Sequence, residues 1–183
     1  IMATKNNRRT VITRKILKES LLELMQAKSI SKITIKEICE LSDMSRFTFY
    51  LHYQDQFELL EDIEKEVLNQ TFQNLKDLDT EASALKSIEV FLNYVKNNKT
   101  IFGILLCRPE TQTFRQGITN SVQTYIQSIV PEIADTHEKP YLYSFVMNGS
   151  LNVITDWINK DFDVSEKKLS EIIYQVCKSV VPS

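Results

Sequence analysis

The stretch Ile33-Thr34-Ile35-Lys36-Glu37-Ile38-Cys39-Glu40-Leu41-Ser42-Asp43-Met44-Ser45-Arg46-Phe47-Thr48-Phe49-Tyr50-Leu51-His52-Tyr53 decides how this chain is read. Thr34 and Glu37 have the spacing of a capping box, in which a hydroxyl accepts from the third amide and the carboxylate reaches back. The helix that follows is short, about Thr34 to Leu41, with Ile35 and Ile38 inward. Ser42-Asp43-Met44 makes the turn, and Ser45 caps a second short helix from Arg46 to about His52. Two short helices joined by a tight turn and flanked by longer ones form a helix-turn-helix. The second helix of that motif lies in a major groove and needs outward donors. Arg46, Thr48, Tyr50 and His52 supply them, while Phe49 turns inward. A helical hairpin with core aromatics fits the same periodicity.

Upstream, Ile12, Ile16, Leu17, Leu21, Leu24 and Met25 recur at three- and four-residue steps, which predicts an amphipathic helix over Arg8 to Ala27. Downstream, Asp55 and Glu58 repeat the capping arrangement and open a long helix through Phe57, Leu60, Ile63, Val67 and Phe72. Charge follows the same division. Residues 1–53 hold ten Lys or Arg against five Asp or Glu, a balance of +5, and the remainder hold twelve against nineteen, a balance of −7. A basic head on an acidic body points to a polyanion met by the head alone. Lys5, Arg8 and Arg9 form a basic arm ahead of the first helix, either reaching a groove or solvated.

Composition excludes several classes. With 3 Gly and 4 Pro in 183 residues, the chain lacks the turn residues of sheet proteins and of Gly-looped nucleotide enzymes, so an all-α fold is expected. Its longest apolar runs fall far short of the roughly 20 residues of a bilayer span. No charged-then-apolar leader opens it, and the three scattered cysteines (Cys39, Cys107, Cys177) suit a reducing compartment, so a cytoplasmic location is expected. Neither a nucleophile elbow nor a phosphate loop nor a His/Cys cluster is present, which predicts no enzyme, no metal and no cofactor.

The quoted stretch, continued by Phe57-Glu58-Leu59-Leu60, resembles the tetracycline-repressor (TetR) family of bacterial regulators over about residues 10–61. That resemblance implies an all-helical homodimer, with a helix-turn-helix DNA-binding domain at 8–53 and a larger ligand-binding and dimerisation domain at 54–183. It implies base-edge reading by Arg46, Phe47 and Thr48 beside Ser45, and backbone contacts by Thr34, Tyr50 and His52. The implied activity is sequence-specific binding of double-stranded operator DNA by a repressor that a small-molecule effector relieves. The alternative is a helical binding module, or a regulator controlled by a protein co-regulator. Two positions depart from the family pattern. Ser42-Asp43 stand where a small residue and Gly are usual, and Gln56 stands where Lys is common. Phe47 either meets a thymine methyl or packs.

The remaining two-thirds of the chain predicts helices at about Ala82 to Asn97, Thr100 to Cys107, Thr111 to Val130, Pro140 to Lys160 and Glu166 to Val181. Its aromatics (Phe91, Tyr94, Phe102, Phe114, Tyr125, Phe145, Trp157) serve as core or line a ligand cavity, for which Phe102, Phe114 and Tyr125 are the candidate walls. Leu151, Ile154, Ile158, Ile172 and Val176, with Leu169, Ile173 and Val180, form an apolar series on the last two helices. A second copy covering that series would make a four-helix bundle. Residues 145–158 also resemble the penultimate helix of one TetR subclass, some members of which lie near dihydroxyacetone-kinase genes and take a protein co-regulator. The Gly149-Ser150 pair there predicts a close helix approach, a cavity wall or a kink.

Overall fold

The computed structural model describes residues 2–73, 81–129, 137 and 139–180, with side chains except at 2–7, 72–73, 81–83, 121–129, 139 and 180. Every long regular element among them is an α-helix: α1 Met2–Ala27, α2 Ile35–Leu41, α3 Arg46–Tyr50, α4 Gln56–Gln73, α5 Glu81–Asn97, α6 Lys99–Cys107, α7 Gln112–Ile129, α8 Lys139–Asn159 and α9 Glu166–Val180. The all-α expectation holds, because a chain this poor in Gly and Pro has few places to reverse. Two compact units meet in sequence between Val67 and Leu68.

In the first unit the stripe of α1 buries Leu17, Leu21 and Met25 completely, with Ile38 of α2, Phe49 of α3 and Leu59 of α4. Two residues of the apolar helical series stand in water. Ile12 is 48% exposed and lines an open concavity with Asp43, Ser45 and Thr48. Phe57 is 51% exposed, since Leu59 lies about 200° around the helix from it and takes the inner position. Asp43 turns the chain with φ of 52°, the left-handed conformation that Asp tolerates in place of Gly.

In the second unit α5 packs on α9, while α6 lies against α7 and α8. The Phe102 ring is fully buried and meets Tyr94, Phe91 and Phe114 edge-on at 5.3, 6.1 and 6.3 Å. Trp157, 2% exposed, donates through Nε1 to the Val164 carbonyl at 2.9 Å. The α8–α9 turn places two consecutive non-glycine residues, Asp161 and Phe162, at φ of 56° and 62°. The Lys99–Asp161 ion pair and the Trp157 ring against Phe162 hold that turn. Phe145 is 66% exposed and so belongs to no core. A Cβ on Gly149 would meet nothing within 4 Å among the described residues, and α8 runs unbroken through it, while Ser150 beside it is hydrogen-bonded to the Cys177 thiol of α9.

Candidate DNA interface

The helix-turn-helix is built from its caps. Thr34 and Glu37 form the full capping box of α2, with Lys28 at the end of α1 bound to the second Glu37 oxygen at 2.5 Å. The Lys28 contact, then the Thr34 amide and hydroxyl, pull the Glu37 carboxyl down to about 2 from its ordinary 4.5. Ser45 caps α3, accepting from the Thr48 amide at 3.1 Å, and its hydroxyl lies 2.9 Å from the Thr48 hydroxyl. At α4, Asp55 accepts from the amides of Phe57 and Glu58 at 2.9 Å, and Glu58 reaches back to the Gln54 amide at 2.6 Å.

These caps fix which face of α3 is presented. Phe49 is fully buried, so Arg46, Phe47 and Tyr50 stand outward. Phe47 is 73% exposed, and the packing alternative for it falls away within the chain. Thr48, His52 and Gln56 are half-buried at the margins of that face. Thr34 is exposed, but its hydroxyl proton goes to Glu37 at 2.9 Å. Beside α3, a concave surface is lined by Arg8, Arg9, Ile12, Asp43, Ser45 and Thr48, which brings the basic residues of α1 to the edge of the second short helix. On the other side of the turn Lys36, Glu40 and Arg46 line a second concavity.

The C-terminal candidates separate differently. Phe102 and Phe114 are fully buried against other rings, and the Tyr125 side chain lies outside the described residues. Leu151, Ile154 and Ile158 are covered by their own chain, at 3%, 4% and 6% exposure. Ile172 and Val176 stay open on α9, and Tyr141, Phe145 and Val153 stay open on α8. Burial raises the Cys107 thiol pKa, opposed by nearby Arg115.

Residues 82–179 match a family described as a transcriptional regulator C-terminal region. The chain belongs to the TetR family of transcriptional regulators. It is 22% identical over 172 residues to the uncharacterised HTH-type regulator YxbF of Bacillus subtilis, covering 87% of this chain but 43% of that protein. The chain thus spans less than half the length of that relative. A solved TetR regulator from Streptococcus agalactiae has the same fold, with a TM-score of 0.72 at 20% identity over 96% of this chain and 98% of the other. The dihydroxyacetone kinase operon activator DhaS superposes with a TM-score of 0.61 at 20% identity, over 93% and 97% of the two chains. The matched family is one of transcriptional regulators. Among the described residues no helix is long and apolar enough to cross a membrane, and no acid, His or Cys cluster could hold a metal.

The sequence reading missed a polar group behind the interface: Arg14 and Lys18 of α1, Tyr53, and Asp62 and Glu66 of α4. A signal was present. Arg14 and Lys18 are four apart on one helix, Asp62 and Glu66 are four apart on another, and the signs are opposite.

Proposed function

We propose that this chain is a sequence-specific regulator that binds double-stranded operator DNA through α3. One observation carries the reading: a capped, five-residue helix holds Arg46, Phe47 and Tyr50 outward at the basic end of an otherwise acidic chain. Arg46 reads guanine O6 and N7, Phe47 meets a thymine methyl, and Thr48 lies beside them under Ser45. Tyr50 and His52 grip phosphates, and Thr34 serves mainly as the cap of α2. The reading domain is assigned to 8–53 and the effector and dimerisation domain to 54–183.

The regulator acts as a homodimer. Tyr141, Phe145, Val153, Ile172 and Val176 are exposed apolar residues on α8 and α9, and a second copy would cover them. Leu151, Ile154 and Ile158 support that surface from inside rather than forming it. Two-fold symmetry then sets the two α3 helices about one DNA turn, ~34–36 Å, apart.

A small-molecule effector that relieves repression is the first reading of the C-terminal domain. A protein co-regulator is the second: Phe102 meets Phe114 edge-on at 6.3 Å, so two of the candidate cavity walls pack on each other. Sequencing the genomic fragments retained by the purified protein tests the DNA assignment. Enrichment of one two-fold symmetric site supports it, and recovery of random fragments overturns it. Transcription from the retained promoter, with and without the protein, then separates repression from activation.

A further inference from the structure

Tyr53 lies three residues past the end of α3 and is 3% exposed, so its hydroxyl is out of reach of any DNA. That hydroxyl accepts from Arg14 Nε at 3.0 Å and donates to Asp62 Oδ2 at 2.8 Å. The same Asp62 oxygen takes Arg14 Nη2 at 2.9 Å and Lys18 Nζ at 2.7 Å, and Lys18 also meets Glu66 at 2.5 Å. One carboxylate oxygen of α4 therefore gathers two cations of α1 and the phenol just beyond α3.

Apolar packing tolerates small sliding, whereas hydrogen bonds weaken steeply once their angles are lost. A satisfied polar network therefore favours one arrangement of the elements it joins. That matters here because α3, five residues long, is too short to hold itself. Its seat is Phe49, whose ring lies 6.0 Å from that of Tyr53 and edge-on to Tyr50 at 5.7 Å. The His52 ring lies 6.4 Å from Tyr53 as well. A shift of Tyr53 is thus passed to the side chains on the outward face. Burial above all raises the Tyr53 hydroxyl to about 12, so it stays a donor throughout the neutral range.

We propose that the Tyr53 hydroxyl, bracketed by Arg14 and Asp62, is a positioning group that sets the angle of α3, so that sequence discrimination depends on a side chain that never touches DNA. The inference rests on the DNA-reading role proposed above.

The test compares wild type with Tyr53→Phe, which keeps the ring and removes the one oxygen. Fluorescence anisotropy is measured on a duplex selected from genomic fragments and on its scrambled counterpart. Amide hydrogen exchange is followed over residues 46–52 in the free protein. Specific affinity is expected to fall roughly tenfold, less than the full contribution of one hydrogen bond to a charged group. Scrambled affinity should change less, and exchange over 46–52 should quicken. Equal losses on both duplexes, or unchanged exchange, would overturn the proposal. Because exchange is read without DNA, it decides the positioning role even if wild type prefers no duplex, a result that would instead overturn the DNA-reading assignment. Should Tyr53→Phe fail to fold, Arg14→Met removes the Nε donor at a residue 43% exposed in its side chain, and the same outcomes apply.

Discussion

The Glu37 carboxylate accepts from both the amide and the hydroxyl of Thr34, each at 2.9 Å, while the Glu37 amide donates back to that hydroxyl at 3.3 Å. The hydroxyl has one proton, and Glu37 takes it. Thr34→Ala should therefore act on folding, lowering stability by about 1 kcal/mol as for other N-caps. Thr34→Ser should recover most of that. Thermal melting of the three proteins checks the order. DNA affinity measured well below the melting temperature should move less than twofold, roughly, and a tenfold loss there would return Thr34 to phosphate binding.

The same carboxylate sets an acid response. Its folded value of about 2 lies below its ordinary 4.5, so the stability it contributes is fully present above about 4.5 and is lost as pH falls toward about 2. Asp62 is also lowered: burial opposes this, but the donors Lys18, Tyr53 and Arg14 outweigh it. Acid should thus loosen the reading unit. Glu37→Gln should flatten the stability profile below pH 4.5 while leaving the effect of Asp62, as circular dichroism melts across that range would register.

Arg46→Ala should relax sequence preference, weakening the selected site by about 1–3 kcal/mol, because a bidentate contact to a base edge is lost. Tyr50→Phe and His52→Ala should weaken all sequences alike. Gln56→Lys should tighten binding and steepen its salt dependence by about one phosphate's worth. Titrations on specific and scrambled duplexes at several salt concentrations separate these effects. If Arg46→Ala binds both duplexes as wild type does, α3 is not a reader.

Phe145→Asp should yield a folded monomer. The side chain is 66% exposed in one chain, so the charge meets water there, whereas it would be buried unpaired against a second copy. Light scattering at micromolar concentration should give about twice the 21.3 kDa chain mass for wild type and one chain mass for the variant. A monomeric wild type would defeat the dimer.

Gly117 of α7 faces Leu68 so closely that an added Cβ would stand 2.8 Å from Leu68 Cδ1. The nearest atom is the end of a flexible side chain, which can rotate aside at a cost of about 0.5–1.5 kcal/mol. Removing glycine from a helix gains about 1 kcal/mol. Gly117→Ala should therefore be nearly neutral, and Gly117→Leu should destabilise by about 1–3 kcal/mol through overpacking. Chemical denaturation of the two variants compares them directly.

Local physics was legible in the sequence. The capping pairs Thr34/Glu37 and Asp55/Glu58, the Ser45 cap and the left-handed Asp43 depend on residues within a few positions of each other, so order alone specified α2, α3, the start of α4 and the turn between the two short helices. Helical periodicity likewise marked α5 to α9, because a stripe repeats within each segment. Which stripe residues are covered was decided only by the neighbours supplied in three dimensions. Ile12 and Phe57 read as core and stand in water, Phe145 reads as an aromatic of the interior and lies outside, and Leu151, Ile154 and Ile158 are sealed by their own chain. The Arg14–Tyr53–Asp62 group spans 48 positions, and no spacing rule joins residues so far apart. Periodicity states that a face is apolar, but burial depends on whether another element is long enough and close enough to cover it, and that is a property of the packed fold.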